Sequence, residues 1–213
     1  MLGVGVLISG SGTNLQAILD RAAEGRLGFG VRLVVSNRAG APGLARAAAA
    51  GVPARVIDHR GFATREAFDE ALVAALREAR VELVALAGFD RLVTRVLLAA
   101  FPQRVLNVHP ALLPAFKGLH AQRQALEYGV KIAGATVHLV DEDVDHGPIV
   151  VQGAIPVHPD DSEDSLRERI LTVEHAIYPL AIQLLAEGRL AVEGRRVTVR
   201  GARPTAQAPL IVW

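Results

Sequence analysis

Leu2-Gly3-Val4-Gly5-Val6-Leu7-Ile8-Ser9-Gly10-Ser11-Gly12-Thr13-Asn14 is the stretch that decides the fold. Residues 2–8 form an apolar, β-rich run without alternation, the pattern of a parallel strand buried on both faces. Ser9 to Gly12 break the run. Leu15, Ile18, Leu19 and Ala22 then recur at helical spacing, which predicts a helix over 14–24 with Thr13 or Asn14 as its cap.

The same alternation continues outward. Residues 31–36 read as a second strand, 42–50 as a short helix and 54–57 as a third strand. Residues 64–80 form an amphipathic helix that buries Phe68, Leu72, Ala75, Leu76 and Ala79, with Asp69 off that face. Residues 81–87, a helix at 94–100 and a strand at 104–108 complete an open α/β sheet, whose ligands sit at the carboxyl ends of the strands. Past residue 108 the pattern changes. Residues 109–120 read as a loop, 120–128 as a helix, 134–140 and 148–157 as an antiparallel pair, 161–186 as one long helix, and 190–199 as a hairpin around Glu193-Gly194. The last stretch, with Pro204 and Pro209, reads as irregular. We read 1–213 as a single domain of two halves, split near residue 108.

Composition narrows the function classes. The 213 residues carry 23 Lys+Arg against 22 Asp+Glu, so no basic surface for nucleic acid is expected. The absence of cysteine removes disulfides, thiolate catalysis and Cys-ligated metal, and fits a reducing, cytoplasmic setting. No apolar run approaches the length of a membrane span, and the first residues lack the basic flank of a signal peptide.

Ser9 to Asn14 lie where backbone N–H groups and a helix dipole can meet an anion. The loop lacks the Lys-Ser/Thr of the Walker pattern. Leu15 stands where a dinucleotide fingerprint needs a small residue, and the second strand ends in Ser36-Asn37-Arg38 without a carboxylate for a ribose. A compact phosphate ester fits better than NAD, and a tight turn that needs glycine for steric reasons alone fits as well.

Asn107 and His109 lie two apart at a strand end, so both point to one face, and Pro110 ends the ladder. An amide can donate to an oxyanion and an imidazole can move a proton. A structural histidine at a strand end is the competing reading. In the acidic loop 141–147, D-x-D-x-D spacing suggests calcium, but His146 replaces the required Gly and Gln152 the bidentate Glu. His138 with His146 has no recognised metal spacing, and no metal site is expected. One of the loop's carboxylates pairing with His109 would favour the imidazolium and raise its pKa; a solvated acidic turn is the alternative.

Taken together and in order, LISGSGTNLQAIL (7–19), SNR (36–38), LAGFDRL (86–92), LNVHPALLPAFKGLHAQRQAL (106–126), GATVHLVDEDVDHGPIVVQ (134–152) and EHAIYPL (174–180) resemble the phosphoribosylglycinamide formyltransferase (glycinamide ribonucleotide transformylase) family, over residues 1 to about 193. The resemblance implies a Rossmann-like, mostly parallel sheet flanked by helices, with a C-terminal antiparallel extension and a long helix. It implies an enzyme of purine synthesis, in which 10-formyltetrahydrofolate is the co-substrate and glycinamide ribonucleotide the acceptor. Gly12, Thr13 and Asn14 would hold the ribonucleotide phosphate, and Glu174 would contact that substrate. Asn107, His109 and Asp145 would be catalytic. Arg65 and the loop Asp90, Arg91, Leu92 and Val93, with Asn107, would hold the folate. Residues 1–108 would form the phosphate-binding half and 109–213 the catalytic and folate-binding half. Lys117 to His120 fall in a loop that is mobile in the family.

Two positions depart from the family pattern: Asp90 replaces an apolar residue, and His146 a glycine. The alternatives are a methionyl-tRNA formyltransferase, a formyltetrahydrofolate hydrolase, an NAD-linked dehydrogenase and a non-catalytic phosphate binder. The first two carry a further domain, for which 213 residues leave no room. Neither nucleic acid nor a membrane is expected as a partner, and the chain is expected to be a monomer or a homodimer.

Overall fold

In the computed structural model, which describes residues 1–25 and 28–202, the elements in chain order are β1 (Leu2–Ile8), α1 (Thr13–Ala23), β2 (Phe29–Ser36), α2 (Gly43–Ala49), β3 (Ala54–Val56), α3 (Arg65–Glu78), β4 (Leu83–Leu86), α4 (Arg95–Ala100), β5 (Val105–His109), α5 (Ala121–Tyr128), β6 (Ile132–Leu139), β7 (Ile149–Pro156), α6 (Glu163–Ala186), β8 (Leu190–Glu193) and β9 (Arg196–Val199). Seven strands form one sheet in the order β3-β2-β1-β4-β5-β6-β7. The first five in that order are parallel, and β6 and β7 add antiparallel to β5. Hairpin β8–β9 stands apart from it. The expected irregular end, with Pro204 and Pro209, lies outside the described residues.

Both faces of β1 are buried, as its unbroken apolar run requires: Val4, Val6 and Ile8 pack on the side of α1 and α6, and Leu7 on the side of α3 and α4. Each Leu or Ile taken fully out of water contributes about 1.5–3 kcal/mol, so this central strand anchors both layers. α6 is capped by Ser162, whose hydroxyl accepts from the Ser165 N–H while Ser165 reaches back to the Ser162 N–H. Its Tyr178 is fully buried, with the hydroxyl 3.0 Å from both the Leu86 and the Leu106 carbonyl oxygens. The long helix is thereby tied to the ends of β4 and β5.

Two local expectations need correction. Neither Thr13 nor Asn14 caps α1. Gly12 does, in the left-handed region at φ 70°, and no side chain satisfies the first-turn N–H groups. A Cβ on Gly12 would also stand 2.7 Å from the Gly43 Cα, so both backbone conformation and space call for glycine. Asp69 is buried rather than off the apolar face of α3: its carboxylate accepts from the N–H of Thr94 at 2.6 Å and its hydroxyl at 2.9 Å. A polar group buried with its donors supplied is stable where a simple apolar stripe would not place one.

The topology positions the site. β2 and β3 extend to one side of β1, and β4 and β5 to the other, so the loops after β1 and β4 part at a topological switch point. Leu106, Val108, Val137 and Leu139 pack into the core shared with α1 and α6. By period two, Asn107, His109 and His138 face the other way, toward the side held by α3 and α4. The buried core on that side includes residues of β1, β2, β4 and β5 but none of β6, so loops cover the end of β5 and its antiparallel neighbour.

Candidate active site

A cavity of about 700 Å³ lies between that face and the loops over it, within the range of small-ligand sites. Asn107, His109 and Asp145 all line it, as do Arg65, Asp90, Arg91, Leu92 and Val93. The sequence reading placed these residues in two groups, and the fold brings both to one wall. Gly12, Asn14 and Glu174 are not on it. They form a second cluster at the start of α1, where Asn14 Nδ2 donates to Glu174 Oε2 at 2.5 Å. Thr13 lines a neighbouring groove of about 620 Å³ with Gln16, Arg46 and His175.

The catalytic candidates meet through strand pairing. β5 runs antiparallel to β6 with Asn107 opposite His138 and His109 opposite Thr136. The β6–β7 register shifts between Val137 and His138, a bulge of the kind that re-aims a side chain beside a site. The β6–β7 loop then delivers Asp145, whose backbone is left-handed at φ 47°. Gly147 lets that loop close, because a Cβ there would lie 1.8 Å from the Leu139 oxygen.

Asp145 is a hub. One carboxyl oxygen lies 3.2 Å from His109 Nδ1 and accepts from the Gly118 N–H at 2.9 Å. The other accepts from Asn107 Nδ2 at 3.4 Å and lies 3.7 Å from His138 Nε2. Burial works against its charge, but the His138, Gly118 and His109 contacts outweigh burial and hold the carboxyl below its ordinary range. His109 Nε2 faces the Phe116 carbonyl oxygen at 2.8 Å. A raised His109 pKa was expected from its carboxylate partner. The direction is the reverse: burial lowers it, and the opposing pull of Phe116 and Asp145 does not make up the loss.

His138 was considered in the sequence only as a metal ligand, and its structural place is different. Its Nδ1 faces the Leu139 oxygen at 2.9 Å, and its Nε2 lies 3.2 Å from Asn107 Nδ2 and 3.7 Å from Asp145 Oδ1. His146 faces away from it, toward Asp141 Oδ2 at 2.9 Å and Arg195, so the two histidines share no site. Among the described residues no group of three or more His, Cys, Asp or Glu side chains is arranged to hold a metal ion. Sequence reading also passed over Arg46, whose guanidinium donates to the Ser11 carbonyl at 2.9 Å and so places a cation beside the glycine loop. Its signal was faint, one arginine in an alanine-rich helix.

The model of the family described as formyl transferase matches residues 3–182. The chain belongs to the formyl transferase family. Within it, this formyl transferase is 42% identical over 198 residues to phosphoribosylglycinamide formyltransferase of Escherichia coli strain K12, covering 93% of each chain. Its fold superposes with a TM-score of 0.92 on the crystal structure of glycinamide ribonucleotide transformylase 1 from Symbiobacterium toebii, at 58% identity over 93% of this chain and 94% of that one. It is also 49% identical over 187 residues to the trifunctional purine biosynthetic protein adenosine-3 of Drosophila melanogaster. That match covers 87% of the present chain, which spans only 14% of the larger protein. Among the described residues of the formyl transferase no helix is long and apolar enough to cross a membrane.

Proposed function

We propose that the chain transfers the formyl group of 10-formyltetrahydrofolate to the amine of glycinamide ribonucleotide, a step of purine synthesis. The observation that carries this reading is the convergence of Asn107, His109 and Asp145 on one cavity, one strand away from a glycine loop with free helix N–H groups. The names of the relatives agree with it.

The division of labour is the one the resemblance implies, and the two clusters have room for it. Gly12, Thr13 and Asn14 hold the phosphate through backbone N–H groups and the α1 dipole. Glu174 contacts the sugar-amine portion, and the folate lies along Arg65 and the 90–93 loop. The N-terminal half thus supplies both the phosphate loop and much of the folate pocket, while residues 109–213 supply Asp145 and Glu174.

In the reaction the amine lone pair attacks the formyl carbon, and the carbonyl π electrons move to oxygen. Asn107 Nδ2 donates to that oxyanion; in well-studied enzymes one such donor is worth about 2.7–4 kcal/mol. His109 in its neutral form accepts the amine proton at Nε2 once the Phe116 carbonyl gives way, and Asp145 holds the Nδ1 proton and stabilises the resulting imidazolium. Collapse of the intermediate breaks the bond to the folate nitrogen, which takes its proton from His109. The soluble partners are glycinamide ribonucleotide and folate, the chain acts as a monomer or homodimer, and its setting is the cytoplasm.

The deciding experiment follows loss of 10-formyltetrahydrofolate by absorbance, with and without glycinamide ribonucleotide. Acceptor-dependent consumption is expected. Its absence in pure, folded protein would sink the reading.

A further inference from the structure

Asp90 stands on the folate-side loop where the family pattern has an apolar residue, yet its carboxylate is turned to the sheet edge. Oδ1 accepts from Ser9 Oγ at 2.8 Å and from Asn37 Nδ2 at 2.8 Å, and Oδ2 pairs with the Arg38 guanidinium. The Asp90 N–H donates back to Ser9 Oγ at 2.9 Å, and the Ser9 N–H donates to the Gly88 oxygen at 3.1 Å. One side chain thus gathers the ends of three strands: β1 through Ser9, β2 through Asn37 and Arg38, and β4 through its own loop.

The donors are themselves placed. Ser36, fully buried at the end of β2, accepts from the Arg38 N–H at 3.1 Å and returns its hydroxyl to the Arg38 oxygen at 2.8 Å. Dinucleotide-binding folds carry a carboxylate at the end of this second strand. Here the strand end carries donors, and the carboxylate arrives from the β4 loop, across the end of β1. Burial opposes the Asp90 charge, but Ser9, Asn37 and Arg38 outweigh burial and keep it ionised.

We propose that Asp90 is a positioning residue whose carboxylate holds the glycine loop and the 88–94 loop in one fixed relation, so that each loop's ligand depends on the clamp. This rests on the functional reading above for the identity of the two ligands, but not for the clamp itself. Ser9 immediately precedes the phosphate loop and Asp90 sits within the folate loop. Releasing the carboxylate therefore loosens both at once, without touching Asn107, His109 or Asp145.

The test is Asp90→Ala, read in three ways. Calorimetric affinities for glycinamide ribonucleotide and for tetrahydrofolate are each expected to fall roughly fivefold or more, the scale of a lost charged hydrogen bond. Amide exchange should quicken in both 10–14 and 88–94. In the steady state the two KM values should rise more than kcat falls. Ser9→Ala cuts only the link between the loops; it should reproduce the faster exchange at 10–14, and it decides the matter if Asp90→Ala does not fold. Unchanged affinities in a folded variant, exchange that quickens in 88–94 alone, or a fall in kcat with both KM values unmoved would each overturn the clamp. If the wild-type chain shows no acceptor-dependent formyl consumption, the functional reading fails, and the exchange data alone decide for or against Asp90.

Discussion

Glu174 and Asn14, far apart in sequence, meet at 2.5 Å with the Asn14 amide donating to a carboxyl group that is 6% exposed. Burial pushes the Glu174 pKa from 4.5 up to about 7, against the single hydrogen bond from Asn14. A folded-state pKa above the unfolded one means the folded chain binds the extra proton. That contribution is complete below pH 4.5 and is lost as pH rises through about 7. At about 1.4 kcal/mol per unit, the shift from 4.5 to about 7 amounts to about 3–4 kcal/mol, of which about 2–3 kcal/mol is lost between pH 5 and pH 8. Urea unfolding at pH 5 and pH 8 should show the wild type losing that much more stability with rising pH than Glu174→Gln. Equal pH dependence in the two proteins would mean that the carboxyl titrates as it does in water.

His109→Ala should lower kcat by roughly 10²–10⁴-fold, the contribution of a positioned acid–base group. Circular dichroism and equilibrium unfolding should change little by comparison. Collapse of the fold with the loss of the ring would instead assign His109 a structural role.

Asp145→Asn removes the charge that favours the His109 imidazolium. The imidazole pKa then falls further below its ordinary value, so the acid limb of kcat/KM should shift to lower pH. The maximal rate should drop at the same time, because the imidazolium formed during turnover loses its counter-charge. Affinity for glycinamide ribonucleotide should be kept, since that ligand is assigned to Gly12–Asn14 and Glu174. An acid limb that stays in place would separate Asp145 from His109.

Asp69→Ala leaves the Thr94 N–H and hydroxyl without their buried acceptor at the junction of the folate loop and α4. A loss of about 1–3 kcal/mol in unfolding free energy is expected. The KM for the formyl donor should rise with it, while phosphate binding at the glycine loop should be less affected. A stability loss with no change in that KM would confine Asp69 to packing.

The parallel half of the fold was legible because strands buried on both faces read as unbroken apolar runs. β1 and β5 fall within a residue or so of their expected bounds. Asn107 and His109 were legible as a pair because the period of two and Pro110 fix their direction. Other features lay beyond the pattern. Asp69 directly follows Phe68 of the apolar stripe, and nothing local reveals the Thr94 donors waiting across the fold. His138 becomes a neighbour of Asn107 only through antiparallel register, a long-range fact. The His109 pKa was expected in the wrong direction because spacing supplies the carboxylate partner but not the burial that opposes it.

Adjacency of β1 and β4 has one last consequence. Paired strands lie about 4.8 Å apart, so the loops after β1 and β4 are held at a separation set by main-chain hydrogen bonds rather than by any linker. Both strands lie within residues 1–108, and any hinge between the two loops would have to break that ladder. The strip from Phe116 to His120 lies outside that ladder, with Phe116, Gly118 and His120 all at positive φ. Such a scaffold can vary the segments at its rim while the span between the two loops stays the same.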